Sequence, residues 1–175
     1  MSRAFVKESD GDADEFPERP VPTHANYVTA RGLAQLQARA QALARAHEAL
    51  SGDDADDANT KRRRKEVERD QRYVTAQLER AELVITESVN DEQRSVRFGD
   101  RVVIEDEHGE HHSEHHSERR SYRIVGDDEA DAAVGDVSWA SPLAQALLGA
   151  RAGDVVVWRR PAGAVEIEIT AIRQG

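Results

Sequence analysis

Three groups of residues have the types and spacing to do chemistry. Asp53, Asp54, Asp56 and Asp57 place four carboxylates on five positions. Hard oxygen ligands of this kind suit Mg²⁺, which is held by one or two carboxylates and completes its shell from another molecule. The calcium-loop spacing is absent, so these residues lack the ligand set of a tight, self-sufficient site. Helix capping and the macrodipole at a helix start would account for one or two of the four, not for all. The second group is Lys61-Arg62-Arg63-Arg64-Lys65, followed by Arg69 and Arg72. Five consecutive cations on a helix cover all its faces, so some must project outward, and phosphate in RNA or DNA is their natural target. Internal pairing with the aspartates and with Glu66, Glu68 and Asp70 is the alternative. The third group is His111-His112-Ser113-Glu114, repeated at once as His115-His116-Ser117-Glu118. Four histidines at i, i+1, i+4 and i+5 could take Zn²⁺ or Ni²⁺; a duplicated, solvated hairpin loop is the plainer reading.

The first two groups sit on a predicted helical hairpin. Residues 30–50 are rich in Ala, Leu, Gln and Arg, all good helix formers, with Thr29 as a plausible N-cap. Leu33, Leu36, Ala40, Leu43, His47 and Leu50 recur at alternating spacings of 3 and 4. Ser51-Gly52 then stops the helix. The alternation resumes at Thr60, Arg64, Val67, Gln71, Val74, Leu78, Ala81 and Ile85. Folded antiparallel about Ala55, the two seams match: Leu50 faces Thr60, His47 faces Arg64, Leu43 faces Val67 and Leu36 faces Val74. The apolar members gather at the base and the polar ones near the turn. A finger firm at its root and soft at its end is expected, about 30 Å long at 1.5 Å per residue.

After Ile85 the pattern changes to strands. Residues 101–105, 121–126, 155–158 and 165–172 are β-rich, the last with clean alternation. Ser141-Pro142 opens a short helix that ends at Gly149. The fold class is α+β: an antiparallel coiled-coil hairpin followed by a small antiparallel sheet with one helix. Residues 1–24, with three prolines and no apolar periodicity, read as a disordered acidic tail. Residues 25–86 are the finger, with its tip at 52–58, and residues 87–175 the β domain, with the His-rich loop at 108–118.

Composition narrows the function classes. The chain has 175 residues and no cysteine, which excludes a disulfide framework, a Cys-based zinc site and a thiol nucleophile. No apolar run approaches the ~18 residues of a membrane span, and no signal-like stretch opens the chain, so a cytoplasmic protein is expected. The net charge of −10 argues against bulk nucleic-acid binding, but it is unevenly placed. Residues 61–72 hold 7 basic and 3 acidic residues, and residues 86–175 hold 10 basic and 18 acidic.

Several motifs, in order, resemble the Gre-type transcription elongation factors, GreB more than GreA. They are Asn26-Tyr27-Val28-Thr29, Gly52-Asp53, residues 72–79, Tyr122-Arg123-Ile124-Val125-Gly126, residues 141–148, Gly153-Asp154-Val155-Val156-Val157 and Pro161-Ala162-Gly163. The resemblance implies a coiled-coil finger on an FKBP-like domain that docks on bacterial RNA polymerase. The finger would enter the secondary channel, where Asp53 and Asp56, with Asp54 and Asp57 beside them, would help hold the second catalytic Mg²⁺. Backtracked RNA would then be cleaved by the polymerase, which fits two-metal phosphodiester hydrolysis. Lys61, Arg62, Arg63, Arg64, Lys65 and Arg69 would contact the nascent RNA. The factor would be an accessory protein rather than an enzyme, bind no cofactor tightly and act as a monomer. Two features depart from the family. Asp stands in place of Glu at position 56, and each arm is shorter by about a heptad, or about 10 Å. A short-fingered, non-cleaving channel regulator is therefore the second reading, and a metal-binding protein using His111, His112, His115 and His116 the third. Prolyl isomerase activity does not follow from an FKBP-like fold.

Overall fold

A computed structural model describes residues 16–51, 57–86, 94–106 and 118–175. The chain begins with a short strand β1 (Asn26–Val28), then two long helices, α1 (Ala30–Ala49) and α2 (Ala58–Glu79), and a second short strand β2 (Ala81–Leu83). Thr29 caps α1, its hydroxyl accepting from the Gly32 amide at 3.0 Å. Asp57 caps α2 through Oδ2, which accepts from the amides of Asn59 at 3.0 Å and Thr60 at 3.2 Å. Immediately outside the hairpin, β1 and β2 pair in parallel, Asn26 opposite Ala81 and Val28 opposite Leu83. This ladder closes the hairpin at its root, as a clasp.

The buried residues of the two helices all lie near that root. In α1 they are Gly32 and Leu36; in α2 they are Tyr73, Val74 and Gln77. Farther out the described residues are half-buried or exposed. The firm root and soft end follow from where the large apolar side chains fall in the sequence.

The second half is a five-stranded curled sheet in the order β5-β4-β3-β7-β6. Its strands are β3 (Asp100–Asp106), β4 (Glu118–Val125), β5 (Asp136–Ser138), β6 (Val155–Arg160) and β7 (Gly163–Gln174). The pairings are antiparallel except that β5 lies parallel to β4, a departure from the purely antiparallel sheet that the sequence predicts. Helix α3 (Pro142–Leu147), capped by Ser141 with Pro142 at its first turn, covers one face. Its Leu143, Ala144 and Leu147 meet Val102, Ile104, Ile124, Ile167 and Ile169 in the core. A 3₁₀ turn, Asp127–Glu129, leaves the end of β4 and points at the root of the finger.

One expectation needs correction here. The sequence reads residues 1–24 as a disordered tail, yet residues 16–24 lie against α2 and the root. Arg72 donates to Glu18, Arg19 stacks on Tyr73, and Arg80 donates to the His24 carbonyl. Proline and charge conceal this attachment, because it is made by long-range pairing rather than by local periodicity. Residues 1–15 lie outside the described residues.

Candidate functional site: the helical finger, its joint and its basic stripe

The finger can act at a distance only if its root is fixed, and a buried carboxylate fixes it. Glu129, whose side chain is 2% exposed, sits at the N-terminus of α1. Its Oε1 accepts from the Thr29 hydroxyl at 2.6 Å and from Arg31 Nε at 3.3 Å. Its Oε2 accepts from the backbone amides of Thr29 at 3.2 Å and Gly126 at 3.4 Å. Both oxygens are therefore surrounded by donors, and the positive end of the helix dipole favours the charge. Gly32 makes the approach possible, since a Cβ there would lie 2.2 Å from Glu129 Cδ. Arg31 carries the joint further by donating to Asp136 at 2.5 Å. Its guanidinium is held even more firmly protonated than usual, first by that hydrogen bond.

The opposite side of the joint is built on α2. Asp128 accepts from the Tyr73 hydroxyl at 3.0 Å and from Gln77 Nε2 at 2.7 Å. Burial, and then the Asp128 charge, raise the Tyr73 phenol above its usual range. Asn26 Nδ2 donates to the Gln77 carbonyl at 2.8 Å. An aromatic group fills the gap: Trp139 lies 4.8 Å from Tyr27 and 5.4 Å from His24 between ring centroids. His24 also contacts Asp127 at 2.6 Å. The sequence reading overlooks Glu129, Asp128, Asp136, Arg31 and Gln77 altogether. Acidic residues in a loop look like solvated charge, and only the fold brings them to a helix end.

At the far end the sequence-predicted residues fare differently. Asp53, Asp54 and Asp56 lie outside the described residues, as do His111, His112, His115 and His116. Asp57 is described, and its Oδ2 is engaged by the first amides of α2. Capping therefore accounts for this member of the acidic set. Among the described residues no three His, Asp or Glu side chains form a group able to hold a metal ion.

The cations divide by helix face. Arg64, one of the expected phosphate contacts, turns into the hairpin, where Nη2 donates to the Leu50 carbonyl at the end of α1. That carbonyl has no partner within its own helix, and a cation at a helix C-terminus is favourable. His47, predicted opposite Arg64, instead meets Glu68 at 3.2 Å. Lys61 and Arg63 are exposed. Arg62, Lys65, Arg69 and Arg72 follow one another at spacings of 3, 4 and 3 along the outer face of α2. They make a stripe about 15 Å long. Arg62 and Arg69 stand over the Phe16 ring at 5.3 and 5.5 Å, and Arg72 holds Glu18. Arg69 also donates to Asp70 at 3.1 Å, so part of the stripe is neutralised within α2 itself.

Sequence comparison finds a counterpart for the β domain. Residues 91–174 match the family model for the C-terminal part of the GreA/GreB transcription elongation factors. Through this domain the chain is similar to the GreA/GreB factors. It is 38% identical over 112 residues to transcription elongation factor GreB of Neisseria meningitidis serogroup B, which covers 64% of this chain and 63% of that protein. The chain thus spans slightly under two thirds of that relative's length. It is 53% identical over 53 residues to GreA of Pseudomonas aeruginosa, covering 30% and 34% of the two chains. Among solved structures, Thermus aquaticus Gfh1 overlays at 29% identity and a TM-score of 0.39, with coverage of 85% and 99%. No helix among the described residues is long and apolar enough to cross a membrane.

Proposed function

We propose that this protein is a GreB-like elongation factor that enters the secondary channel of bacterial RNA polymerase and stimulates the polymerase's own cleavage of backtracked RNA. The family match over the C-terminal domain carries the proposal, and the joint gives it mechanical sense. The β domain docks on the polymerase, and the finger is held at a fixed angle by Glu129 and Asp128 and projects about 30 Å. The chain has no nuclease centre of its own in this reading. Asp53 and Asp56, with Asp54 beside them, would complete the coordination of a Mg²⁺ shared with the polymerase, for which carboxylate oxygens are the fitting ligands. Asp57 is a capping residue that sets the direction of α2 beneath them. Arg62, Lys65, Arg69 and Arg72 would guide the extruded RNA by its phosphates.

The test is transcript cleavage in purified backtracked elongation complexes. Saturating factor should shorten the RNA from its 3′ end. Asp53→Asn together with Asp56→Asn should abolish cleavage while leaving polymerase binding intact. One observation favours a second reading. α1 has only 20 residues, and the carboxylate of Asp57 is already engaged by α2, which leaves few acids to deliver at the end of a short finger. Saturable binding without any cleavage would identify the factor as a non-cleaving occupant of the channel.

A further inference from the structure

The stripe on α2 is already covered by the chain itself. Residues 16–19 run along it, entering from the tip side and leaving toward the root. Phe16 is contacted by the guanidinium groups of both Arg62 and Arg69. Two residues on, Glu18 takes Arg72 through both carboxylate oxygens, at 3.1 and 3.3 Å from Nε. Arg19 then lies 4.0 Å above the Tyr73 ring and 3.7 Å from Asp70, which fixes the segment where the finger is firm. Between segment and helix a groove of about 430 Å³ remains, walled by Phe16, Pro17 and Glu18 on one side and by Lys65, Glu68, Arg69 and Arg72 on the other, three cations to one carboxylate on the helix wall.

These contacts copy the chemistry of a single-stranded nucleic acid. Such ligands offer flat rings that stack on aromatic or guanidinium faces, and anions that pair with Arg and Lys along a groove. Phe16 supplies the ring and Glu18 the anion, each on a cation that RNA would use. The contacts are also weak enough to exchange. Glu18 and Arg72 are both more than half exposed, and exposed ion pairs contribute little. Tight capture would block the stripe permanently, whereas contacts of this strength can hold it closed until a stronger polyanion arrives.

We propose that residues 16–19 are a built-in competitor that occupies the stripe on α2 and is displaced when single-stranded RNA binds there. This rests on the assignment of the stripe to RNA, and it adds regulation to that surface. Free factor would have low affinity for stray RNA. Inside a polymerase complex, where RNA is presented at high local concentration, the segment would yield.

The test uses the full-length chain and a fluorescently labelled oligouridylate of about twelve nucleotides, followed by anisotropy across a salt series. Phe16→Ala combined with Glu18→Gln should tighten binding roughly 3- to 10-fold, the value of losing two cation–π contacts at a half-buried ring and one exposed ion pair. Unchanged thermal unfolding would confirm that the fold is intact, as expected for side chains on the surface. In the unaltered protein, amide exchange at Phe16, Glu18 and Arg19 should rise on adding RNA. Equal or weaker binding by the double variant, or increased protection of these amides, would overturn the competitor. Arg62→Glu with Arg72→Glu separates the two ideas. If these changes abolish binding while the Phe16 and Glu18 changes do nothing, the stripe stands and the competitor falls. If RNA binds as before, the stripe itself is misassigned and the competitor goes with it.

Discussion

Replacing Glu129 by Gln should loosen the finger from its domain, although the two side chains have nearly the same shape. Each carboxylate oxygen faces two donors: the Thr29 hydroxyl and Arg31 on one side, and the Thr29 and Gly126 amides on the other. An amide NH₂ in either position would point a donor at donors in a site where the side chain is 2% exposed. The loss of charge-assisted hydrogen bonding to a buried carboxylate costs about 1.5–3 kcal/mol. Removing an anion from a helix N-terminus adds roughly 0.3–1 kcal/mol. The Arg31 contribution is smaller, because Arg31 is 44% exposed and keeps Asp136. A total near 2–4 kcal/mol should lower the melting temperature by roughly 5–15 °C in a domain of this size. Differential scanning calorimetry measures the change, and hydrogen exchange locates it: protection should fall at Thr29, Arg31 and Gly32 before it falls in the sheet. A melting temperature within 2 °C of the unaltered protein, with protection at Thr29 unchanged, would refute the assignment of Glu129 as the pin of the joint.

Gly32→Ala should be similarly harmful, since the added Cβ would collide with the Glu129 carboxyl group at 2.2 Å. In combination with Glu129→Ala its effect should shrink well below the sum, which a double-mutant cycle by chemical denaturation would detect. Tyr73→Phe removes the hydroxyl that bridges to Asp128 and should cost about 1 kcal/mol in urea unfolding. Because the folded phenol titrates above its ordinary range, Tyr73 stabilises the fold fully below the unfolded phenol pKa. That contribution is lost as the pH rises through the folded value, and absorbance of the phenolate in a Tyr73→Phe comparison would show it. Glu18 behaves in the opposite sense: its hydrogen bond to Arg72 lowers the carboxyl below its usual value. Contact between residues 16–19 and α2 should therefore be complete above the ordinary carboxylate range and be lost as the pH falls through the folded Glu18 value, as followed by NMR shifts of Phe16. Arg64→Ala should raise amide exchange at Leu50 and Ser51 while leaving the melting temperature nearly unchanged, because the distal hairpin is not part of the cooperative core.

Much of the fold is legible in the sequence because it is locally encoded. The 3–4 alternation as far as Leu78, Thr29 before α1 and Ser141-Pro142 before α3 are signals read within a few residues, and the structure repeats them. The predicted seam overruns at its end: α2 stops at Glu79, Ala81 enters β2, and Ile85 is 78% exposed. The alternation of β7 likewise needs only its own residues. What escapes is held together by distant partners. β1 and β2 are three residues each, too short for a pattern, and they exist because Asn26 finds Ala81. β5 is as brief and survives by pairing in parallel with β4. Glu129 and Asp128 sit among acidic neighbours that composition assigns to solvent, whereas the fold brings both to the finger root. The basic run illustrates the same limit. Residues 61–65 look equivalent as a string, but helix geometry turns Arg64 inward to Leu50 and leaves Arg62 and Lys65 in line with Arg69 and Arg72.

The central claim is that a rigidly mounted finger carries its end to the catalytic centre of RNA polymerase. The chain has no cysteine, so Ser51→Cys creates a unique attachment point at the end of α1 for an iron chelate that generates hydroxyl radicals. With the labelled factor bound to backtracked elongation complexes, scission should fall on polymerase segments lining the catalytic metal site and on the 3′ end of the RNA. Scission confined to the outer mouth of the channel, or to the polymerase surface with the RNA untouched, would contradict the account.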